Sequence, residues 1–326
     1  MMKMESIRSK QHQLPNDKGG LMIADIYPSR KSAEPQILLR HDPVVYTEMQ
    51  DGMFLSREQK QEFEEKGFLV LKNIFSEVEI RLLQQELSDL RQRSKELKGR
   101  EEVISEPNSG EIRSIFKIHD SSPVFSRLAR DSRLVHAAQD ILADEVYIHQ
   151  SRLNYKPGFE GKEFYWHSDF ETWHVEDGLP NMRTVSISIT LTDNTPQNGA
   201  LMLIPGSHKD FISCVGETPE DHYKESLKKQ EYGVPDHDSL EYLANKGGIE
   251  QALGPAGTVV IFDCNTMHGS NSNITPYARS NAFFVYNSMQ NKAQAPFGNI
   301  PPRPEFVATR EKFVAVRPEE RPLLKT

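Results

Sequence analysis

The chain contains little cysteine: Cys214 and Cys264 are the only two among its 326 residues. Two thiols do not make a disulfide framework of the kind that holds small secreted domains together. A reducing compartment is the simpler interpretation, and we therefore expect a cytoplasmic protein.

Long apolar runs and an excess of basic charge are also absent. No stretch approaches the roughly 18 consecutive apolar residues of a membrane-spanning helix, and residues 1–20 lack the apolar segment of a signal peptide. The net charge is −8, with 37% hydrophobic and 26% charged residues. This is an ordinary globular composition without the basic footprint of a nucleic-acid-binding protein. We expect neither a membrane nor a nucleic acid as partner.

The first residues differ in composition from the rest of the chain. Residues 1–22 are mostly polar, and such a segment buries too little apolar surface to fold, so we expect a disordered leader there. Residues 23–326 are expected to form a single domain, because one β-rich domain with helical additions accommodates this length.

Helical signals are concentrated in the first half of the chain. A capping box at Ser56 and a glycine at Gly67 delimit a first helix. The apolar run at 68–71 predicts a short buried strand. Amphipathic patterns predict a second helix over 76–99 and a third over 123–142. These helices are expected to brace a sheet.

The apolar period changes after residue 145. The run 183–192, RTVSISITLT, places Val, Ile and Leu on one face of a strand and Ser and Thr on the other. Further strands are expected at 146–155, 200–204, 258–262 and 281–286. Short strands separated by Gly, Pro and Asn turns predict a mainly β fold with flanking helices, with a jelly roll or related barrel over about 145–290.

One segment interrupts the strand series. Residues 208–251 are polar and rich in Lys, Glu and Asp. Connections longer than about 15 residues in a compact domain are usually partly helical, functional lids or disordered. We expect a mobile insertion beside the functional site.

The run 164–178, FYWHSDFETWHVEDG, holds both tryptophans of the chain and two of its eleven histidines. On extended backbone, His167 and Asp169 point the same way because side chains alternate with period two. His268 follows the strand at 258–262 after a short turn and is the candidate third ligand. Two imidazoles and one carboxylate suit divalent iron and leave three positions for a bidentate co-substrate and O₂.

A candidate anion-binding residue follows the third ligand. Arg279 lies eleven residues after His268, at the start of the next strand. A guanidinium makes bidentate hydrogen bonds to a carboxylate, here the distal carboxylate of a 2-oxo acid that chelates the metal. Ser188, Thr190 and Asn154 are further candidate donors. Without its place after His268, a single arginine such as Arg279 is more often a surface residue.

Other residues of the same types have alternative interpretations. A second His-x-Asp pair, residues 208–210, follows a Pro-Gly turn, so the strand position of the first pair favours the first. His174 is expected at the surface or behind the ligands, and His149 in the core. Trp173 either packs in the core or faces a cationic substrate.

These motifs resemble a known family. HSD with the distant His268 and Arg279 resembles the iron(II)- and 2-oxoglutarate-dependent dioxygenases, and residues 198–208, NGALMLIPGSH, resemble the phytanoyl-CoA hydroxylase family. Within that family, residues 164–180 and the early run 25–30, DIYPSR, resemble the ectoine hydroxylases. The resemblance covers about residues 60–290.

The resemblance implies a double-stranded β-helix of the cupin type that converts ectoine, a compatible solute, to 5-hydroxyectoine. O₂ and 2-oxoglutarate are consumed, succinate and CO₂ are released, and a homodimer is implied. Ectoine carries a cationic amidine and a carboxylate, which suit aromatic faces and amides. The implied contacts are His167, Asp169 and His268 for iron, Arg279, Ser188, Asn154 and Thr172 for 2-oxoglutarate, and Gln150, Trp173, Asn281 and Phe283 for ectoine.

Three other functions remain open at this point. A related dioxygenase acts on another small solute such as proline, or on an acyl substrate; a carrier-linked substrate favours a basic entrance, and no basic cluster lies near the motifs. A metal- or sugar-binding jelly roll without catalysis does not need Arg279. A zinc hydrolase uses the same ligands, and metal analysis separates it from an iron enzyme.

Overall fold

The computed structural model describes residues 25–94, 96, 99–106, 110–216, 218–219 and 232–324. The predicted leader at 1–22 lies outside these ranges. Within them the chain forms seven α-helices and 13 strands. Among the described helices, none combines the length and the apolar character that crossing a membrane requires.

Most helices precede the long strands. The α-helices are α1 (Arg57–Lys66), α2 (Glu77–Ser94), α3 (Ile118–Ser121), α4 (Pro123–Leu128), α5 (Ser132–Leu142), α6 (Asp169–Thr172) and α7 (His237–Gly247). A π-helical turn, Trp173–Asp177, directly continues α6.

Local capping sets the limits of α1. The Ser56 side chain accepts a hydrogen bond from the Gln59 backbone N–H, and the Gln59 side chain accepts one from the Ser56 N–H. Gly67 ends the helix with φ 82°, a left-handed conformation that glycine adopts without strain. The predicted capping box and C-terminal glycine are confirmed.

The single helix predicted over 123–142 is wrong, because the chain divides it into α4 and α5. Asp131 is non-helical and caps α5, since its side chain accepts from the Arg133 backbone N–H. The same carboxylate also pairs with the Arg133 guanidinium at 2.6 Å. α4 ends at Leu128 with Ala129 as its C-terminal cap, and Asp131 then begins α5 inside the same apolar periodic run.

The strands pair antiparallel in three sheets. One has the order β2-β11-β7-β13-β5-β4-β3, a second β10-β8-β12-β6, and a third β1-β9. The strands are β1 (Gln36–Leu39), β2 (Phe68–Leu71), β3 (Val103–Ser105), β4 (Ile112–Phe116), β5 (Val146–Lys156), β6 (Phe164–His167), β7 (Thr184–Thr190), β8 (Leu201–Leu203), β9 (Asp210–Ser213), β10 (Glu250–Gln251), β11 (Val259–Asp263), β12 (His268–Ser270) and β13 (Arg279–Ser288).

The alternation in β7 separates two faces of the seven-stranded sheet. Ile187 and Ile189 belong to the large core cluster that also contains residues of α1, α2, α4 and α5. Ser186 lies on the other face, where its Oγ donates to Asp169 Oδ2 at 3.3 Å. The helices therefore brace the apolar face, as predicted, and the polar face turns toward the metal ligands.

The two larger sheets pack face to face. Val260 and Phe283 of the seven-stranded sheet share a buried cluster with Leu201 and Leu203 of the four-stranded sheet. Two antiparallel sheets enclosing one interior are the jelly-roll arrangement, so the predicted mainly β fold with flanking helices is confirmed.

The insertion predicted at 208–251 holds regular structure in its described part. It contains β9, which pairs with β1, then α7, and β10, which pairs with β8. Residues 217 and 220–231 lie outside the described ranges. The expected mobility of this insertion stays a prediction.

Candidate active site

The segment with the predicted metal pair is a strand that turns into a helix. β6 ends at His167, Ser168 has extended backbone (φ −102°, ψ 129°), and Asp169 begins α6. The expected extended run therefore stops at Ser168. One extended residue is enough to turn both flanking side chains to one point, and His167 Nε2 lies 3.8 Å from Asp169 Oδ1.

The third predicted ligand comes from the neighbouring strand. His268 begins β12 and lies directly opposite His167 in the β6–β12 pair. Its Nε2 is 3.9 Å from Asp169 Oδ2. One ligand atom from each of the three buried residues lies within 4.8 Å of the other two. This spacing matches a single ion bound between them.

Backbone carbonyls orient both imidazoles. Nδ1 of His167 lies 2.7 Å from the Tyr165 carbonyl, and Nδ1 of His268 lies 2.9 Å from the Thr266 carbonyl. A carbonyl accepts only, so each Nδ1 carries the proton and each Nε2 presents a lone pair. Burial and the neighbouring His268 lower the pKa of His167 to about 3, which keeps that imidazole neutral. The donor set fits iron(II).

The carboxylate of the site is held in its charged form. Burial by itself raises the pKa of Asp169, but His268, His167 and Arg152 outweigh burial and lower it. Arg152 was not predicted as a site residue. It lines the pocket beside the histidines, and its guanidinium lies 5.1 Å from the ring centre of Phe283.

That pocket receives side chains from both larger sheets. It is lined by His167 and His268 together with Arg152, Asn154, Phe164, Leu201, Gly269, Ser270, Arg279 and Phe283. The structure therefore brings the predicted Asn154, Arg279 and Phe283 to the side of the two histidines.

Arg279 is a buried cation with no acidic partner among the described residues. Its side chain begins β13, and its Nε finds no hydrogen-bond acceptor there. Burial alone lowers the pKa of Arg279 to about 10. A buried, unpaired guanidinium is costly, so this arrangement fits an anionic ligand in the pocket.

Two further predicted residues, Asn281 and Ser188, are not among the residues that line this pocket but contact each other beside the lining residue Phe283. Asn281 Nδ2 donates to Ser188 Oγ at 3.1 Å, and Ser188 pairs with Phe283 across β7 and β13. Asn281 Oδ1 is buried without a hydrogen-bond partner within the described ranges. An unused acceptor there is available to a ligand.

The other three predicted contacts do not line this pocket. Gln150 Nε2 donates to the Val307 carbonyl at 2.8 Å. Thr172 Oγ1 is buried and lacks a hydrogen-bond partner in the described structure. Trp173 packs in an apolar cluster, with the His149 ring 5.3 Å away. Their predicted ligand roles stay predictions.

Lys156 is a second basic residue that the prediction missed. It lies opposite Arg279 in the β5–β13 pair and is 2% exposed. Its Nζ donates to Ser270 Oγ at 2.9 Å. Burial, with the charges of Arg279 and Arg113, lowers the pKa of Lys156 to about 6.

A signal for both missed basic residues was present in the sequence. Arg152 and Lys156 share the period of two with the predicted Gln150 and Asn154 on β5. β5 therefore carries four polar residues on one face, of which Arg152 and Asn154 line the pocket.

The rival histidines take other roles. His208 is buried in a 3₁₀ turn, where its Nε2 lies 3.2 Å from the Glu64 carbonyl. Asp210 pairs with Lys246 at 2.6 Å. The described residues therefore do not use the second His-x-Asp pair as a ligand pair.

His174 is buried, so the surface alternative is wrong. Its Nε2 lies 2.9 Å from Asp25 Oδ1, and its ring stacks on Phe297 at 4.0 Å. His149 is a core residue, as expected, with Nε2 3.4 Å from Asp177 Oδ2.

A model of the phytanoyl-CoA dioxygenase (PhyH) family matches residues 63–281. The ectoine dioxygenase of Bordetella bronchiseptica is 58% identical over 294 residues, which cover 90% of this chain and 95% of that protein. The ectoine dioxygenase of Sphingopyxis alaskensis is 55% identical over 304 residues, which cover 93% of this chain and 99% of that protein.

Two crystal structures of EctD from S. alaskensis are similar to this chain, each with a TM-score of 0.83 and coverage of 92% of this chain and 100% of that one. One, with 2-oxoglutarate and 5-hydroxyectoine, is 49% identical, and the other, with bound iron, is 48% identical. The extent of these matches confirms the resemblance of the sequence motifs. The chain belongs to the phytanoyl-CoA dioxygenase family and, within it, to the ectoine dioxygenases.

Proposed function

We propose that the chain hydroxylates ectoine to 5-hydroxyectoine, a step of compatible-solute (osmoprotectant) biosynthesis. The reaction takes up O₂ and 2-oxoglutarate and releases succinate and CO₂. The observation that carries the proposal is Arg279, a buried guanidinium without an acidic partner in the described structure, which lines the same pocket as His167 and His268. The relatives named ectoine dioxygenase support the choice of substrate.

His167, Asp169 and His268 would hold iron(II), each through one of the atoms that converge in the structure. Iron(II) in such a site supplies the activation of O₂ that is coupled to decarboxylation of 2-oxoglutarate. The protein orients the ligands through the Tyr165 and Thr266 carbonyls and keeps all three side chains buried.

Arg279 would bind the distal carboxylate of 2-oxoglutarate through its planar fork of donors. Lys156, opposite Arg279 on β5, adds a second positive group when it is protonated. Asn154, Ser188 and Thr172 complete the proposed co-substrate contacts, and Thr172 Oγ1 and Arg279 Nε lack other hydrogen-bond partners in the described ranges.

Phe283 and Trp173 would be among the residues that surround ectoine, because aromatic faces suit its cationic amidine. Asn281 and Gln150 would contact its polar edges, and the unused Asn281 Oδ1 supports this role. Burial of the site excludes water, which protects the reaction from side products.

The test is aerobic incubation of the protein with Fe(II), 2-oxoglutarate and ectoine. We expect succinate together with a product heavier than ectoine by one oxygen. A parallel reaction with proline distinguishes a related dioxygenase, because hydroxyproline without hydroxyectoine contradicts the proposal. The proposal is also contradicted if the protein binds zinc in place of iron and the zinc-loaded protein is a hydrolase.

Three expectations beyond the reaction are also proposed. The two free, buried cysteines support a cytoplasmic location. A homodimer is proposed from the family resemblance, and light scattering of the purified protein tests it. A single domain from residue 23 onward, with a mobile insertion at 208–251, is tested by limited proteolysis with and without 2-oxoglutarate.

A further inference from the structure

An N-terminal arm, residues 25–30, lies against the segment that carries Asp169. Asp25 contacts His174 at one end of the arm, and the buried Arg30 contacts Glu176 at the other. The contacted segment consists of the short helix α6 and the π-helical turn after it. π-helical turns are rare and are frequently found at functional sites.

Arg30 joins two carboxylates of this segment. Its Nε and Nη2 donate to the two oxygens of Glu171 at 2.9 and 2.6 Å, and its Nη1 donates to Glu176 Oε1 at 2.7 Å. The three side chains are between 1% and 3% exposed. Buried charges that lose a partner are strongly destabilising, so this arrangement holds α6 and the π-turn in one geometry.

The paired side of α6 faces away from the metal ligands. Glu171 follows Asp169 by two residues, and an α-helix advances about 100° per residue, so their side chains lie roughly 200° apart. Arg30 therefore holds the back of α6 while Asp169 projects from its front toward His167 and His268.

The backbone around Arg30 is held unusually firmly. Arg30 has φ 57°, a left-handed conformation that non-glycine residues rarely adopt. Its backbone N–H donates to the Cys214 carbonyl at 2.9 Å. Ser29 Oγ donates to Glu171 Oε1 at 2.6 Å and accepts from the Cys214 N–H at 2.8 Å. These bonds maintain the strained residue beside Glu171.

We propose that Arg30 is a positioning residue for the reaction: through Glu171 and Glu176 it sets the orientation of α6, and thereby the place of Asp169 relative to His167 and His268. The inference rests on the proposed function for its catalytic consequence, but its effect on metal binding does not require ectoine.

The test compares Arg30→Lys with Arg133→Lys. Lysine keeps the positive charge and the backbone preferences of Arg30 but loses the fork that spans two carboxylates. Arg133 is the matched control, because it also joins two carboxylates, Glu79 and Asp131, in the helical layer outside the site. Both substitutions remove an arginine that binds two buried carboxylates; the Arg30 side chain is 3% exposed and the Arg133 side chain 18%.

Three quantities are measured on each protein: the dissociation constant for Co(II), the ratio of succinate to hydroxylated ectoine, and the thermal midpoint. For Arg30→Lys we expect Co(II) affinity to fall about tenfold, the lower end of the range for residues that orient metal ligands, and the succinate ratio to rise. Arg133→Lys should lower the thermal midpoint and leave the other two quantities unchanged. Equal Co(II) constants and ratios for the two variants would overturn the proposal.

Ser29→Ala provides a milder test in case Arg30→Lys does not fold. It removes the hydrogen bond to Glu171 and the acceptor of the Cys214 N–H, and it leaves every charge in place. A smaller loss of Co(II) affinity in the same direction is expected, and wild-type affinity contradicts the proposal. If the wild type binds Co(II) but makes no hydroxyectoine, the proposed function fails while the role of Arg30 is still decided by the Co(II) constants.

Discussion

His167 and His268 lie directly opposite each other on neighbouring antiparallel strands, with their ring centres 4.3 Å apart. Strand pairing therefore sets the separation of the two imidazoles. Asp169 joins them because the chain turns into a helix two residues after His167. Strand pairing thus places the two imidazoles, and the turn from β6 into α6 brings Asp169 to them.

We expect His268→Ala to abolish tight Co(II) binding and to reduce 2-oxoglutarate decarboxylation by at least about 100-fold, because two ligands do not complete the triad. His208→Ala is the control, since His208 is equally buried but lies outside the ligand group. Equilibrium dialysis and succinate release give both readings. Wild-type Co(II) binding by His268→Ala contradicts the assignment.

Arg279→Met should weaken 2-oxoglutarate binding by about 10- to 100-fold, since hydrogen bonds to charged groups contribute roughly 1.5–3 kcal/mol. The same change should raise the thermal midpoint of the ligand-free protein, because it removes a buried guanidinium that lacks an acidic partner in the described structure. Thermal unfolding with and without 2-oxoglutarate measures both effects. A higher midpoint of the ligand-free protein together with weaker stabilisation by 2-oxoglutarate identifies Arg279 as a binding residue. A lower midpoint of the ligand-free protein together with weaker stabilisation indicates a structural role.

Lys156 predicts a pH dependence of 2-oxoglutarate binding. Its pKa is lowered from 10.5 to about 6, so the neutral amine dominates at pH 8 in the folded protein. A dianionic ligand favours the protonated amine, so binding takes up a proton above pH 6 and affinity falls as pH rises. Calorimetric titration of the Ni(II)-loaded protein with 2-oxoglutarate between pH 6 and 8.5 should show this fall in affinity. The affinity of Lys156→Met for 2-oxoglutarate should be nearly independent of pH.

Lys156 also affects stability with a definite sign. Between pH 6 and 10.5 the unfolded state binds more protons than the folded state, so this group makes the folded protein more stable as pH rises through that window. Denaturant unfolding of the ligand-free protein should show a free energy of unfolding that rises with pH, and Lys156→Met should reduce the slope of that rise. An unchanged slope means that the Lys156 amine remains charged in the folded protein.

Trp173 has two roles to separate. If it only packs, Trp173→Phe should retain the KM for ectoine, and Trp173→Ala should cost about 3–5 kcal/mol of stability. If its indole also faces ectoine, Trp173→Phe should raise the KM for ectoine several-fold with little change in thermal midpoint. Steady-state kinetics beside thermal unfolding distinguishes these outcomes, and we expect the second.

Much of the fold followed from local patterns. The capping box at Ser56, the strand at β7 and the change of period after residue 145 are read from neighbouring residues alone. The division of the helix predicted over 123–142 was missed, because the capping of α5 by Asp131 competed with a continuous apolar period. Periodicity reports burial, and it does not reveal where a single side chain interrupts the backbone pattern.

Residue types and spacing determined the chemistry of the site: His167, Asp169, His268 and Arg279 were recognisable in the sequence because iron and a carboxylate demand those side chains. Only the tertiary structure decided that Lys156 lies beside Arg279, that His174 is buried against Asp25, and that Arg30 spans Glu171 and Glu176. These relationships join segments more than 100 residues apart, and strand register and packing, which no local pattern encodes, set such distances.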